Sequence, residues 1–371
     1  MVTPPARPQA TRVLIVDDSA AARAMLKMII ESDPALTVMA AVPDAFAAAR
    51  RMREELPDAI LLDLELPGMD GLTFLRKIMQ QHPLPVIVCS SHVAEGSSAM
   101  MTALELGAVE VIVKPAPRTP DERQEAAIRI CDAIRAATST RRSAGRGDLR
   151  PLAPGPKLTA DEILPPLAHI RPTPRTGPVV CIGASTGGTE ALRAILTELP
   201  ASAPPIVVVQ HMPQGFTAAF ARRLDSLCAL SVTEAADGDP VLPGQVLIAP
   251  GDRHLLLRRR NLAYRVAVVG GPYVCRHRPA VDVLFRSAAQ DAAGNALGII
   301  LTGMGDDGAR SMLEMHQAGA MTVAQDEDSC VVYGMPREAM RLGGVTRQEP
   351  LHRIPALIMQ FARNHATGAA G

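Results

Sequence analysis

Tryptophan is absent from this chain, and Tyr and Phe together make up only 2% of it. So few rings disfavour base-stacking platforms and aromatic sugar-binding clefts. Neither sign of charge is in excess: 38 Lys and Arg balance 38 Asp and Glu, a formal net charge of zero. No general electrostatic pull toward nucleic acid or anionic lipid is expected. The six cysteines (Cys89, Cys131, Cys181, Cys228, Cys275, Cys330) lie far apart, with no C-x-x-C pair and no His in metal-ligand spacing. They read as mostly buried thiols of a reducing compartment. No uninterrupted apolar run reaches membrane-spanning length. Met1 to Ala10 is Pro-rich and polar, without a signal core. A cytoplasmic protein with no direct membrane insertion is the expectation.

The 371 residues, 47% hydrophobic and 20% charged, suit two or three globular domains with cores of Ala, Val, Leu, Ile and 17 Met. Arg12 to Val16 reads as a strand ending in Asp17 and Asp18, with Ser19 capping a helix that runs to Glu31. The same unit recurs, with strands at 37–42, 59–62, 85–89 and 109–113 and helices at 44–56, 71–82, 95–106 and 120–137. Five strands alternating with five helices predict a doubly wound parallel sheet, with ligands beyond the carboxyl ends of the strands. At those ends stand Asp17, Asp18, Asp63, Ser90 and Lys114. Three converging carboxylates repel one another, and Mg2+ would relieve that, while Lys114 would balance charge arriving on Asp63.

Between residues 139 and 177 the periodicity dissolves into Arg141, Arg142, Arg146 and Arg150, followed by seven prolines from Pro151 to Pro174. Proline removes backbone donors and favours extended chain, so a semi-rigid linker is expected, with one helical turn near 159–164.

The second domain, 178–371, opens on Pro178-Val179-Val180-Cys181-Ile182-Gly183-Ala184-Ser185-Thr186-Gly187-Gly188, a buried strand running through a tight turn into a helix. The spacing Gly183-x-Ser185-x-Gly187 fits a nucleophile elbow, with the hydroxyl exposed at the positive end of the helix. An ordinary Gly-rich turn is the alternative. A second strand, 205–209, ends at Gln210 and His211, and a third, 296–301, leads to Asp306 and Asp307 before a helix over 309–317. If these strands are neighbours, a hydroxyl, an imidazole and a carboxylate meet at one edge, in a hydrogen-bonded line. An imidazole takes the Ser proton, a carboxylate fixes the imidazole, and turn amides hold the oxyanion. A dinucleotide site is disfavoured, because Ser185 takes the second Gly position and no acid ends the second strand. The order Ser, His, Asp also differs from that of the α/β-hydrolases. Strands at 246–249, 254–257 and 264–268 read as antiparallel, His254 and His277 as solvated loop imidazoles, and a helix is expected after Arg278 and Pro279.

Val16-Asp17-Asp18-Ser19, Leu62 to Gly71, Ser90 and Val113-Lys114-Pro115 resemble a response-regulator receiver domain, placed over 1–138. The resemblance implies phosphorylation at Asp63, Mg2+ held by Asp17, Asp18, Asp63 and the Glu65 carbonyl, and phosphoryl contacts from Ser90 and Lys114. Val111 stands where many receivers carry a Tyr or Phe. Ile182 to Gly188, Gln210-His211-Met212-Pro213, Arg278 to Phe285 and Leu301 to Gly308 together resemble the catalytic domain of the chemotaxis protein-glutamate methylesterases, the CheB family. That likeness implies a Rossmann-like three-layer α/β/α hydrolase with an antiparallel hairpin region. Ser185, His211 and Asp307 would form its triad, with Asp307 favoured over Asp306 by motif position, and the amides of Thr186 and Met304 its oxyanion donors. It further implies methylated chemoreceptors as substrate, glutamine deamidation at the same site, a histidine kinase as phosphodonor, and no cofactor for the esterase step. A monomer that does not bind nucleic acid is expected. The competing reading is a phosphorylation-gated binding module without turnover.

Overall fold

The computed structural model describes residues 10–90, 97–115, 120–139, 157–167 and 177–367. The Arg141–Arg150 run and Pro151, Pro154, Pro156, Pro172 and Pro174 lie outside them. The chain divides into two compact units, residues 1–153 and 154–371.

The first unit alternates β1 (Thr11–Val16), α1 (Ala20–Glu31), β2 (Leu36–Val42), α2 (Ala45–Glu54), β3 (Ala59–Leu62), α3 (Gly71–Gln81), β4 (Val86–Ser90), α4 (Ser97–Glu105), β5 (Glu110–Val113) and α5 (Pro120–Ser139). The strands form a parallel sheet in the order β2-β1-β3-β4-β5. Side chains alternate across a strand, so β1 supplies both layers of the core. Val13 and Ile15 join Ile29, Ile30 and Ile134 on one face, and Leu14 and Val16 join Phe74, Leu75 and Ile78 on the other. Ser19 caps α1 by accepting the Ala22 N–H, and Asp70 caps α3 through Thr73.

The second unit runs β6 (Val179–Ala184), α6 (Gly188–Leu196), β7 (Ile206–Gln210), α7 (Phe216–Asp225), β8 (Ser231–Glu234), β9 (Gln245–Ile248), β10 (His254–Arg260), β11 (Ala263–Val269), α8 (Val281–Asp291), β12 (Ala296–Ile300), α9 (Ala309–Gln317), β13 (Met321–Gln325), α10 (Met335–Arg341), β14 (Arg347–Glu349) and α11 (Ile354–Thr367). Seven strands pair in parallel in the order β14-β13-β12-β6-β7-β9-β8, and β10 and β11 form a separate antiparallel hairpin. The antiparallel reading of 246–249 is therefore corrected. Val246, Leu247 and Ile248 are buried among β7 and β8, as a strand of a covered parallel sheet must be. The chain leaves β6 toward β7 on one side and returns as β12 on the other, which makes the carboxyl end of β6 a topological switch point. Phe285 of α8, wholly buried, anchors the core beneath it, a burial that contributes about 1.5–3 kcal/mol.

Residues 157–167 are not a free spacer. A 3-10 turn at Ala160–Glu162, capped by Thr159, drops Ala160 and Leu164 among Leu256, Val274, Ala280 and Val283. The Arg286 guanidinium holds Asp161 and the Leu164 carbonyl from α8. Apolar residues spaced four apart cover a face of the second unit, outweighing the extending tendency of the prolines around them. Among the described residues no helix is long and apolar enough to cross a membrane. All six cysteines are free.

Candidate active site and receiver site

Register brings the three chemical groups of the second unit to one edge. Ala184 pairs with Gln210 across β6 and β7, so Ser185 and His211 are the next residues along both strands. Gly183 pairs with Ile300 across β6 and β12, and the Ser185 N–H donates to the Thr302 carbonyl at 3.1 Å. Gln210 Nε2 donates to the carbonyls of Ser185 (3.0 Å) and His211 (3.3 Å), fastening the two strand ends together. The turn after Ser185 needs Gly187 at φ +78°, where it caps α6 with no side chain over the helix end. Ser185 itself is only 8% exposed, not the exposed hydroxyl that the elbow pattern suggests. The reason is the 303–305 loop: a Cβ added to Gly303 would lie 2.7 Å from the Ser185 Cβ.

Asp307 faces His211, with its Oδ2 2.8 Å from Nε2. Both carboxylate oxygens are filled, Oδ2 also by the Val281 N–H at 2.7 Å and Oδ1 by the Asp282 N–H at 2.9 Å. These are the first amides of α8, where the helix dipole favours an anion. Asp306 points elsewhere, its Oδ1 2.5 Å from Lys157 Nζ. His211 Nδ1 is buried and makes no hydrogen bond among the described residues. The expected hydrogen-bonded line is closed on its acid side only, since Ser185 Oγ makes no hydrogen bond among the described residues. Hydroxyl-to-base bonds of this kind commonly tighten only when substrate is present. Thr186 is buried, with its carbonyl accepting from Thr302 Oγ1 at 3.0 Å, and the Met304 N–H is unused among the described residues.

Three residues escape the sequence reading. His254 is wholly buried rather than solvated, with Nε2 donating to the Pro272 carbonyl and Nδ1 accepting from Ala280. Burial pushes its pKa down and keeps it neutral. His277 lies flat on His211, ring centroids 3.6 Å apart and planes 8° from parallel. Asp282 is buried behind Asp307, accepting from the Ser311 N–H and the Cys275 thiol. Burial and then the charge of Asp307 push its pKa up to about 7. Periodicity carries no signal for any of these, because all three act through side chains that meet across the fold.

In the first unit, Asp17, Asp18 and Asp63 bring carboxylate oxygens within 4.8 Å of one another. Lys114 Nζ lies 2.6 Å from Asp63 Oδ2 and 2.7 Å from Asp17 Oδ2. Asp17 is buried, and the Lys114 ammonium is the partner of its Oδ2. Three carboxylates gathered around a single ammonium leave oxygen ligands and negative charge that fit an oxygen-loving divalent cation. Burial raises the pKa of Asp63 against the opposing pull of Lys114. Burial opposes the charge on Lys114 too, but its bonds to Asp17 and Asp63 carry its pKa above the usual lysine value. Ser90 is buried at the end of β4, its carbonyl accepting the Lys114 N–H, and Val111 sits half-buried against the Leu62 and Phe74 cluster.

A seven-stranded parallel sheet with Ser, His and Asp at its switch point, on a chain that also carries an acid-lined five-stranded sheet, defines a hydrolase with a receiver-type regulatory domain. A family model described as CheB methylesterase matches residues 180–358, and one described as response regulator receiver domain matches residues 13–123. The chain is 74% identical over 365 residues to protein-glutamate methylesterase/protein-glutamine glutaminase 1 of Cereibacter sphaeroides, with 98% of each covered. It is 56% identical over 364 residues to the protein of that name of the group 3 operon of Bradyrhizobium diazoefficiens, covering 97% of this chain and 98% of the relative. The crystal structure of the Thermotoga maritima CheB methylesterase catalytic domain is 41% identical, covers 50% of this chain and 98% of that one, and gives a TM-score of 0.49. The chain therefore belongs to the protein-glutamate methylesterase/protein-glutamine glutaminase family, hydrolases that carry an N-terminal receiver domain.

Proposed function

We propose that this protein removes methyl groups from glutamate methyl esters of chemoreceptor cytoplasmic domains, and deamidates glutamines there, as a cytoplasmic adaptation enzyme of chemotaxis. Ser185 Oγ attacks the side-chain carbonyl carbon while its proton passes to His211 Nδ1. Asp307 holds the Nε2–H and balances the imidazolium. The amides of Thr186 and Met304 receive the developing oxyanion. Collapse of the tetrahedral intermediate expels the methoxy oxygen, which takes the proton from His211 and leaves as methanol. Water, deprotonated by the same imidazole, then splits the acyl-enzyme to free the glutamate and restore Ser185. An amide follows the same path and releases ammonia. The observation that carries this reading is the filled carboxylate of Asp307, which commits Nε2 and leaves the buried Nδ1 as the one ring nitrogen able to take a proton.

The receiver, residues 1–138, holds activity down until a histidine kinase supplies phosphate to Asp63. Asp17, Asp18, Asp63 and the Glu65 carbonyl would hold Mg2+, which when bound neutralises charge on the entering phosphoryl group. Lys114 and Ser90 contact that group, and its charge of roughly −1.5 to −2 rebiases the regulatory equilibrium. Replacement of Ser185 by Ala should abolish methanol release from methylated receptors while leaving receptor binding intact. Substantial surviving turnover refutes the assignment.

A further inference from the structure

Val274 to His277 form a two-residue turn closed by two backbone bonds, the His277 N–H to the Val274 carbonyl at 2.8 Å and the Val274 N–H to the His277 carbonyl at 3.1 Å. Its central residues are Cys275 at φ +49° and Arg276 at φ +69°. A turn of this hand normally calls for Gly or Asn at both positions. Side chains are held in this region only where surrounding structure over-determines them, and such outliers gather at functional sites. The surroundings do over-determine it. The Cys275 N–H donates to the Leu158 carbonyl at 2.9 Å, and the Cys275 thiol donates to Asp282 Oδ2 at 3.2 Å. Just beyond the turn the Arg278 guanidinium grips Asp252. What the turn delivers is the His277 ring, laid 3.6 Å from that of His211.

His211 needs such a support. A ring held by one hydrogen bond, Nε2 to Asp307, still tilts about that bond, and its Nδ1 makes none among the described residues. We propose that His277 is a positioning residue for the base: its flat face, fixed by the strained turn, locks the plane of His211 so that Nδ1 stays aimed at Ser185. This rests on Ser185, His211 and Asp307 being the reacting groups. The general requirement is alignment, since a misplacement of about 1 Å costs about a hundredfold in rate.

The test uses the full-length phosphorylated protein and methylated receptor, with methanol release giving kcat and KM. His277→Ala should lower kcat by about ten- to a hundredfold with KM within about twofold, whereas His277→Phe, which restores a flat ring, should retain kcat within about threefold. Histidine 15N NMR should show His211 as the Nε2–H tautomer in all three proteins, with its signals sharp in the wild type and His277→Phe and broadened by ring motion in His277→Ala. His277→Leu fills the volume without a flat face and should resemble Ala, so it replaces Ala in the comparison if that variant fails to fold. An unchanged kcat in Ala or Leu overturns the proposal, and so does a Phe variant as impaired as they are. Ser185→Ala, run beside them, separates the two claims. Turnover surviving there sinks the triad, while a dead Ser185→Ala with an indifferent His277→Ala sinks only the stack.

Discussion

Replacing Asp307 by Asn keeps the shape of the acid and removes its charge, which makes it the sharpest probe of the site. Oδ2 serves two donors, His211 Nε2 at 2.8 Å and the Val281 N–H at 2.7 Å, and Oδ1 serves the Asp282 N–H at 2.9 Å. An amide has one acceptor atom. If its oxygen takes the Oδ2 position, its NH2 faces the Asp282 N–H. If it takes the Oδ1 position, its NH2 faces the Val281 N–H and forces His211 to present a bare Nε2. In that second arrangement the ring proton moves to Nδ1, the atom that must accept from Ser185. Either way one buried donor confronts another, a loss of about 1–3 kcal/mol of stability. Acid-to-amide changes in Ser-His-Asp triads lower kcat by up to about 10^4. A loss of 10^3–10^4 corresponds to about 4–5.5 kcal/mol of transition-state stabilisation. The expectation for Asp307→Asn is a kcat down by about 10^3–10^4, a KM little changed and a Tm lower by several degrees. Methanol release from methylated receptor and thermal unfolding read these quantities. A kcat within tenfold of wild type would refute the reasoning and move attention to Asp306.

Asp282→Asn should change how stability depends on pH. Burial and Asp307 raise the pKa of Asp282 to about 7 in the folded state, so its contribution is full below the unfolded carboxylate pKa and is lost as pH rises through about 7. The variant should therefore gain Tm relative to wild type between pH 5 and pH 8, and a constant difference would exclude this account. Asp63→Asn should hold turnover at its basal level when a small phosphodonor and Mg2+ are added. Activation that persists in that variant would remove Asp63 as acceptor. Gly303→Ala would set a methyl 2.7 Å from the Ser185 Cβ and against the Met335 sulfur, so kcat should fall more than tenfold and stability by about 1–3 kcal/mol. An unaltered kcat would show that the 303–305 loop does not shape the Ser185 turn.

Much of both folds was legible because hydrophobic runs and their terminators agree with tertiary packing. Val13 to Val16, Ile60 to Leu62 and Val179 to Ile182 are apolar stretches stopped by Asp or Gly, and each became a buried parallel strand. The short edge strands were harder to read. Ser231–Glu234 has Val232 as its one aliphatic residue and Arg347–Glu349 has none, so neither shows a strand pattern without its neighbour. The Pro-Gly turns around Gln245–Ile248 imitate hairpin punctuation, yet that strand joins the central sheet. Ser185 and His211 stood out because each follows directly on an apolar strand, and Asp307 because it lies in the Gly-rich loop after a third. His277, Asp282 and the docking of residues 157–167 depend on where loops are carried in space, and local sequence does not encode that.

One consequence follows from α8. Its own N-cap, Ala280, has no side chain able to satisfy the free amides, and the carboxylate of Asp307, 26 residues beyond Val281 in a separate loop, does so instead. The helix thus borrows its closure from the same carboxylate that holds the His211 ring. Loss of the Asp307 carboxylate would therefore loosen the start of α8 at the same time as it frees the His211 ring.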